Sequence, residues 1–284
     1  MIGQLLNGLR AYLYSNLFIA TAAVLLCWRT QAYFPDQVAN LSALIAWIAF
    51  WGTLFTYNLC VLYDSVAYSD KFSFILRYRK WQKRILVLAG LLPIPVLFLL
   101  HPNQFIFLAH LAVISFFYTV PVSLHLPSGY RLHIPAWRNV PFLKTLLVAY
   151  VWGSTTVIFP LLSDQLWLSD PNILRYFSAQ TLFVLAITLP FDIRDYSLDR
   201  QAGLRTFANT LGQSATKLLS VFLLAVGFLL LWPLSGTLPE LLTYSAAMLT
   251  VPFASERMPE WFYTGWLDGL LWLPYIFGSL GLAV

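Results

Sequence analysis

The stretch Phe177-Ser178-Ala179-Gln180-Thr181-Leu182-Phe183-Val184-Leu185-Ala186-Ile187-Thr188-Leu189-Pro190-Phe191 runs without a charge into Asp192-Ile193-Arg194-Asp195-Tyr196-Ser197-Leu198-Asp199-Arg200. Extended back to Ile173, the apolar run is long enough to cross the hydrocarbon core of a bilayer. Ionised groups beside hydrocarbon are costly, so three carboxylates at its exit demand a partner. On a helix, offsets of three and seven fall within about 60° of each other, so Asp192, Asp195 and Asp199 share one face. Like charges on one face repel unless a cation sits between them. A hard divalent ion with oxygen ligands, above all Mg²⁺, suits such a cluster, and Mg²⁺ in turn suits a diphosphate.

The rest of the chain agrees with a membrane setting. Its 284 residues are 59% apolar and only 10% charged, with a mean hydropathy of +0.71. Soluble domains carry about 25% charged residues. The composition predicts an integral membrane protein, one transmembrane domain over residues 1–284. Cys27 and Cys60 lie in apolar segments and read as packing residues. The run after Arg10 lacks a small-x-small cleavage site, and Leu25 and Leu26 before Cys27 argue against a lipoprotein box, so it is expected to be a retained span.

Spans are expected at 11–28, 41–62, 85–100, 104–122, 142–162, 173–191, 216–234, 238–254 and 261–282, by the length the hydrocarbon core requires. The predicted fold class is therefore all-α, a polytopic bundle of about nine transmembrane helices. Pro93, Pro95, Pro121, Pro160, Pro190, Pro252 and Pro274 lie in or at the ends of spans, where they shape helices. With the N-terminus inside, the cytoplasmic segments hold Arg10, Lys71, Arg77, Arg79, Lys80, Lys83, Arg84, Arg131, Arg138, Lys144, Arg194, Arg200, Arg205, Lys217 and Arg257. Only Arg29 and Arg175 fall outside, which sets the orientation and supports the span count. A bacterial inner membrane is the expected location. The net charge of +5 is the positive-inside bias plus attraction to anionic lipid, with no need for nucleic acid.

Two of the inside loops begin with polar or acidic residues at the end of an even-numbered span and then turn basic. The loop after span 2 holds Asn58, Asp64 and Asp70, then Arg77-Tyr78-Arg79-Lys80-Trp81-Gln82-Lys83-Arg84. The loop after span 6 holds the three aspartates, then Gln201-Ala202-Gly203-Leu204-Arg205-Thr206 and Leu211-Gly212. This second loop resembles the second aspartate-rich motif of the UbiA superfamily of intramembrane prenyltransferases. Tyr118 with Pro121, and Trp152-Gly153, are similar to weaker features of that family. The first loop departs from the family pattern: Asn58 matches, but Leu62 and Val66 stand at the offsets of four and eight where aspartates are expected. Asp64, at offset six, would turn roughly 120° from Asn58 on a helix. An unwound turn lining a cavity would bring it back. The first site is thus either rebuilt in a new register or lost.

The resemblance implies a bundle with a central cavity open near the cytoplasmic side. It also implies transfer of a prenyl group from a prenyl diphosphate to a lipophilic, aromatic acceptor in the membrane. Asp192, Asp195, Asp199 and Asn58 would form the catalytic set. Asp192, Asp195 and Asp199, joined by Asp64, would bind Mg²⁺. Asn58, Asp64, Arg138, Lys144, Arg194, Arg200 and Arg205 would bind substrate, with Arg205 the best diphosphate candidate because it lies beyond the acids.

Each has a plainer reading: Asn58 as a bond between helices, Asp64 and Asp70 as charge balance, Arg138 and Lys144 as snorkelling cations. Asp268 in the last span is left outside the catalytic set. His110 reads as a helix–helix hydrogen bonder. Phe116, Phe117, Tyr118, Tyr150 and Trp152 are candidate walls for an isoprenoid tail. The alternatives are a UbiA-like protein that binds isoprenoid or lipid without transfer, and a transporter. No internal repeat of the inverted kind favours the latter.

Overall fold

The computed structural model describes residues 2–35, 42–63, 74, 76–125, 131–162, 170–234 and 236–282. Helix α1 (Ile2–Tyr14) turns by 63° into α2 (Leu17–Tyr33). Next come α3 (Ser42–Tyr63), α4 (Arg79–Leu91) and α5 (Pro102–Thr119). A small antiparallel hairpin follows, β1 (Val122–His125) on β2 (Arg131–Ile134), with Val122 opposite Ile134. Helix α6 (Leu143–Gly153) continues through a π-helical turn, Ser154–Ile158, to Leu161. Beyond it lie α7 (Pro171–Arg194), α8 (Tyr196–Gln201), α9 (Phe207–Leu211), α10 (Gln213–Leu231) and α11 (Leu238–Thr250). The last stretch, Phe262–Leu282, alternates between π, 3₁₀ and α turns.

The protein is an all-α membrane bundle. Each of the nine expected spans falls on a helical stretch. Among the described residues, four helices are long and apolar enough to cross a membrane, or five if the bent α1–α2 pair counts as one. The third expected span is interrupted, breaking at Leu92-Pro93 before the short helix Ile94–Leu97, as its prolines dictate. The surface is inverted relative to a soluble protein, with Phe98, Leu218, Leu229 and Leu249 all more than half exposed, as suits lipid contact.

One expected boundary is corrected. The span predicted at 11–28 straddles a break, and the helix proper is Leu17–Tyr33. Asn16 sits there at φ 65°, a left-handed conformation that asparagine tolerates better than most residues. The carbonyls freed by the break are satisfied from neighbouring helices. Asn58 Nδ2 on α3 donates to Ser15 O at 3.3 Å, and Gln82 Nε2 on α4 donates to Tyr14 O at 3.3 Å.

Helix α7 is the axis of the core, burying Tyr176, Ala179, Phe183, Ala186 and Ile187. Tyr244 of α11 donates to Ala179 O, and Ser220 of α10 to Ala186 O, each at 2.5 Å. Gly153 lets α6 close on α7, since a Cβ there would collide with Thr181. At the end remote from the aspartates, Arg29 makes a buried bidentate pair with Glu240 at 2.7 and 2.9 Å and donates to Gly236 O. Tyr176 adds a hydrogen bond to Glu240. Arg29, an exception to the charge bias, is thus a buried partner rather than a loop cation.

Candidate active site

Helix α7 delivers the opening motif to one end of the bundle, but not on a single unbroken helix. Its last residue is Arg194, and Asp195 takes φ −89°, ψ 8° before α8 begins. The expected common face is reached across this joint, where Asp199 N still bonds Asp195 O at 2.8 Å. Asp192 is 1% exposed and Asp199 8%.

The three carboxylates converge on Lys144 at the start of α6. Its Nζ lies 3.5 Å from Asp192 Oδ1, 3.6 Å from Asp195 Oδ2 and 3.6 Å from Asp199 Oδ2. These are ion-pair distances, longer than the 2.7–2.9 Å or so of charge-assisted hydrogen bonds. Asp192 Oδ1 and Asp199 Oδ2 are buried with no hydrogen-bond donor.

Arg194 is held differently. It grips Asp195 with two hydrogen bonds, 2.8 and 3.0 Å, reaches Glu260 at 3.2 Å, and lies over the rings of Phe191 and Tyr263. Burial alone would raise the Asp195 carboxyl, but Arg194 and then Lys144 outweigh it and hold it below its ordinary value. Asp199 has no such grip. Its burial, with Asp195 beside it, holds it above the ordinary value despite Lys144.

The base of Lys144 is constrained. Phe142, two residues earlier, has φ 63°, an outlier for a bulky residue. Its N–H donates to Arg205 O at 3.1 Å and its ring packs on Phe207 at 5.1 Å. The loop after the aspartates thus clasps the start of α6. Gly203 (φ 70°) and Gly212 (φ 86°) supply turns there that a side chain would strain.

The remaining sequence candidates lie elsewhere. Asn58 is buried, and its amide donates to Ser15 O and Leu54 O rather than to the carboxylates. Arg138 Nη2 donates to Tyr63 O at 2.7 Å, at the end of α3. Arg200 and Arg205 are exposed. Asp64 and Asp70 lie outside the described residues. Sequence reading missed Glu260 and also Glu256, which accepts from Ser197 and Gln213 and pins α8. Their only sequence signal was two acids in the segment between the last two spans.

Oxygen chemistry and two orphaned, buried carboxylate oxygens fit Mg²⁺ at Asp192, Asp195 and Asp199. As the side chains stand, however, they ring an ammonium. Among the described residues, no group of three or more His, Cys, Asp or Glu is closed on a metal-sized point.

Between α3, α5 and α6 lies an apolar cavity of about 660 Å³. Its walls include Gly52, Tyr57, Ala112, Phe116, Phe117, Trp152 and Phe159. Trp152 Nε1 donates to Tyr57 Oη at 3.1 Å. Trp152 is eight residues from Lys144, roughly 12 Å along the helix. His110 joins Tyr150 across α5 and α6 at 3.0 Å, the helix–helix bond expected of it.

No family model matches the sequence, and no curated protein matches it. Among solved structures, a UbiA homolog from Archaeoglobus fulgidus bound to GPP and Mg²⁺ superposes with a TM-score of 0.57. The two are 13% identical, and the match covers 96% of this chain and all of the other. At that identity the likeness is one of fold: the chain is an integral membrane protein built on the UbiA-type helical bundle.

Proposed function

We propose that the chain transfers a prenyl group from a prenyl diphosphate to a lipophilic, aromatic acceptor within the membrane. The observation that carries this reading is the convergence of Asp192, Asp195, Asp199 and Lys144 at one end of a UbiA-type bundle. The fold's solved counterpart with GPP and Mg²⁺, and the apolar cavity along α6, support it.

Asp192, Asp195 and Asp199 would hold Mg²⁺, which when bound offsets charge on the diphosphate. Asp64 is proposed as a further ligand, and Asn58 and Arg138 as supports of the mouth. Lys144 places an ammonium where leaving diphosphate oxygens gather charge, the kind of preorganised stabilisation that lowers such barriers most. Arg194 fixes Asp195, while exposed Arg200 and Arg205 draw the anion in. The cavity between α3, α5 and α6 takes the isoprenoid tail and keeps water from the allylic carbon. The basic end, with the N-terminus, faces the cytoplasm of a bacterial inner membrane.

A second reading is a bundle that binds isoprenoid without transfer. The ammonium seated among the carboxylates favours it, as does the register of the first motif. The test is purified protein, shown folded by a cooperative melt, given Mg²⁺, radiolabelled prenyl diphosphates of graded length and a lipid-extract acceptor. Mg²⁺-dependent label in the acceptor fraction is expected. Binding without transfer selects the second reading; neither binding nor transfer defeats both.

A further inference from the structure

The position of Lys144 has a consequence for how a metal enters. Its ammonium stands at the centre of the three carboxylates, equidistant within 0.1 Å (3.5, 3.6 and 3.6 Å) and hydrogen-bonded to none of the two buried, donorless oxygens it faces. This placement is built by the fold: Phe142, strained and tied to Arg205 and Phe207, fixes where α6 begins.

The charges at the centre are unevenly committed. Arg194 is spent on Asp195 and Glu260. That leaves Asp192 and Asp199 facing one ammonium. A divalent cation entering alone would meet that ammonium at close range, and the two remaining carboxylates would face three positive charges. A diphosphate arriving with the metal changes the balance, because its oxygens offer Lys144 a new partner. The lysine stem is a flexible four-carbon chain, able to swing from carboxylate to phosphate while its helix stays put.

We propose that Lys144 is a resident counter-ion that holds the aspartate site closed to metal until a diphosphate draws the ammonium away, so that metal and donor bind together. This rests on the aspartates being the metal ligands of the proposed prenyl transfer. Binding of the two ligands is then reciprocal, each raising the affinity for the other by the same factor.

The test is titration of Mn²⁺, as a spectroscopic probe, into detergent-purified full-length protein, with and without inorganic diphosphate. Wild type should bind Mn²⁺ weakly alone and at least tenfold more tightly with diphosphate. Lys144→Met should bind Mn²⁺ alone at least tenfold more tightly than wild type and show a smaller diphosphate effect. Lys144→Arg, which keeps the charge, should behave like wild type. Asp192→Asn should lose Mn²⁺ binding in every background, showing that the aspartate site is being read. Equal Mn²⁺ affinity in wild type and Lys144→Met, or no binding in either, overturns the proposal. Should Lys144→Met not melt cooperatively, Lys144→Gln takes its place under the same criterion. Prenyl transfer is read separately: transfer with equal Mn²⁺ affinities sinks the latch alone, whereas the expected affinities without transfer sink the catalytic reading alone.

Discussion

At the residue scale, two buried ion-pair systems among the described residues differ in kind. Arg29 and Glu240 meet at 2.7 and 2.9 Å, with Tyr176 completing the set. Removing one partner of such a pair strands a charge, at a cost of about 3–5 kcal/mol. Glu240→Ala should therefore lower the melting temperature sharply in detergent. Lys144 and its carboxylates stand farther apart, with oxygens left over. Asp192→Asn removes one of three crowded like charges, so the melting temperature should hold or rise. Turnover should fall about 100-fold or more, the scale of losing an electrostatic stabiliser. A fall in both melting temperature and turnover would make Asp192 a structural residue instead. The aspartates themselves were legible in sequence, because three acids beside an apolar run have few physical explanations. Lys144 as their common partner was not, since 47 intervening residues separate it from Asp192 along the chain and only helix packing closes that gap.

At the element scale, two contacts decide how helices meet. Gly153 admits Thr181 and Phe177 against the backbone of α6. Gly153→Ala should cost about 1–3 kcal/mol through overpacking, read as a lower melting temperature with the lysine–aspartate centre displaced. Asn58 bolts α3 to the α1–α2 elbow through Ser15 O. Asn58→Ala leaves that buried carbonyl short of a donor, about 1–3 kcal/mol. If Asn58 serves catalysis rather than the elbow, turnover will fall while stability stays unchanged. The elbow shows why one boundary was misplaced. Apolar residues continue across 11–28, so hydropathy runs through Ser15-Asn16, and the break depends on donors from α3 and α4 that hydropathy does not count. The joint at Asp195 was hidden for the same reason: periodicity assumes a continuous helix.

At the scale of the whole molecule, the cavity and the lysine–aspartate centre lie along the same helix, α6. Gly52 lines the cavity, and a Cβ added there meets nothing within 4 Å. Gly52→Trp should fill space without displacing a neighbour and shift preference toward shorter prenyl diphosphates, measured as the ratio of kcat/KM across graded chain lengths. An unchanged ratio would place the tail elsewhere.

The membrane class and the acidic motif were determined by sequence alone. Composition measures the solvent a surface must face, and the acids beside hydrocarbon signal their own expense. Only the tertiary structure decided which cation answers those acids, where Asn58 spends its amide, and where the apolar cavity lies. Each of these depends on side chains from distant segments arriving at one point, and that is set by how the helices pack rather than by any local pattern along the chain.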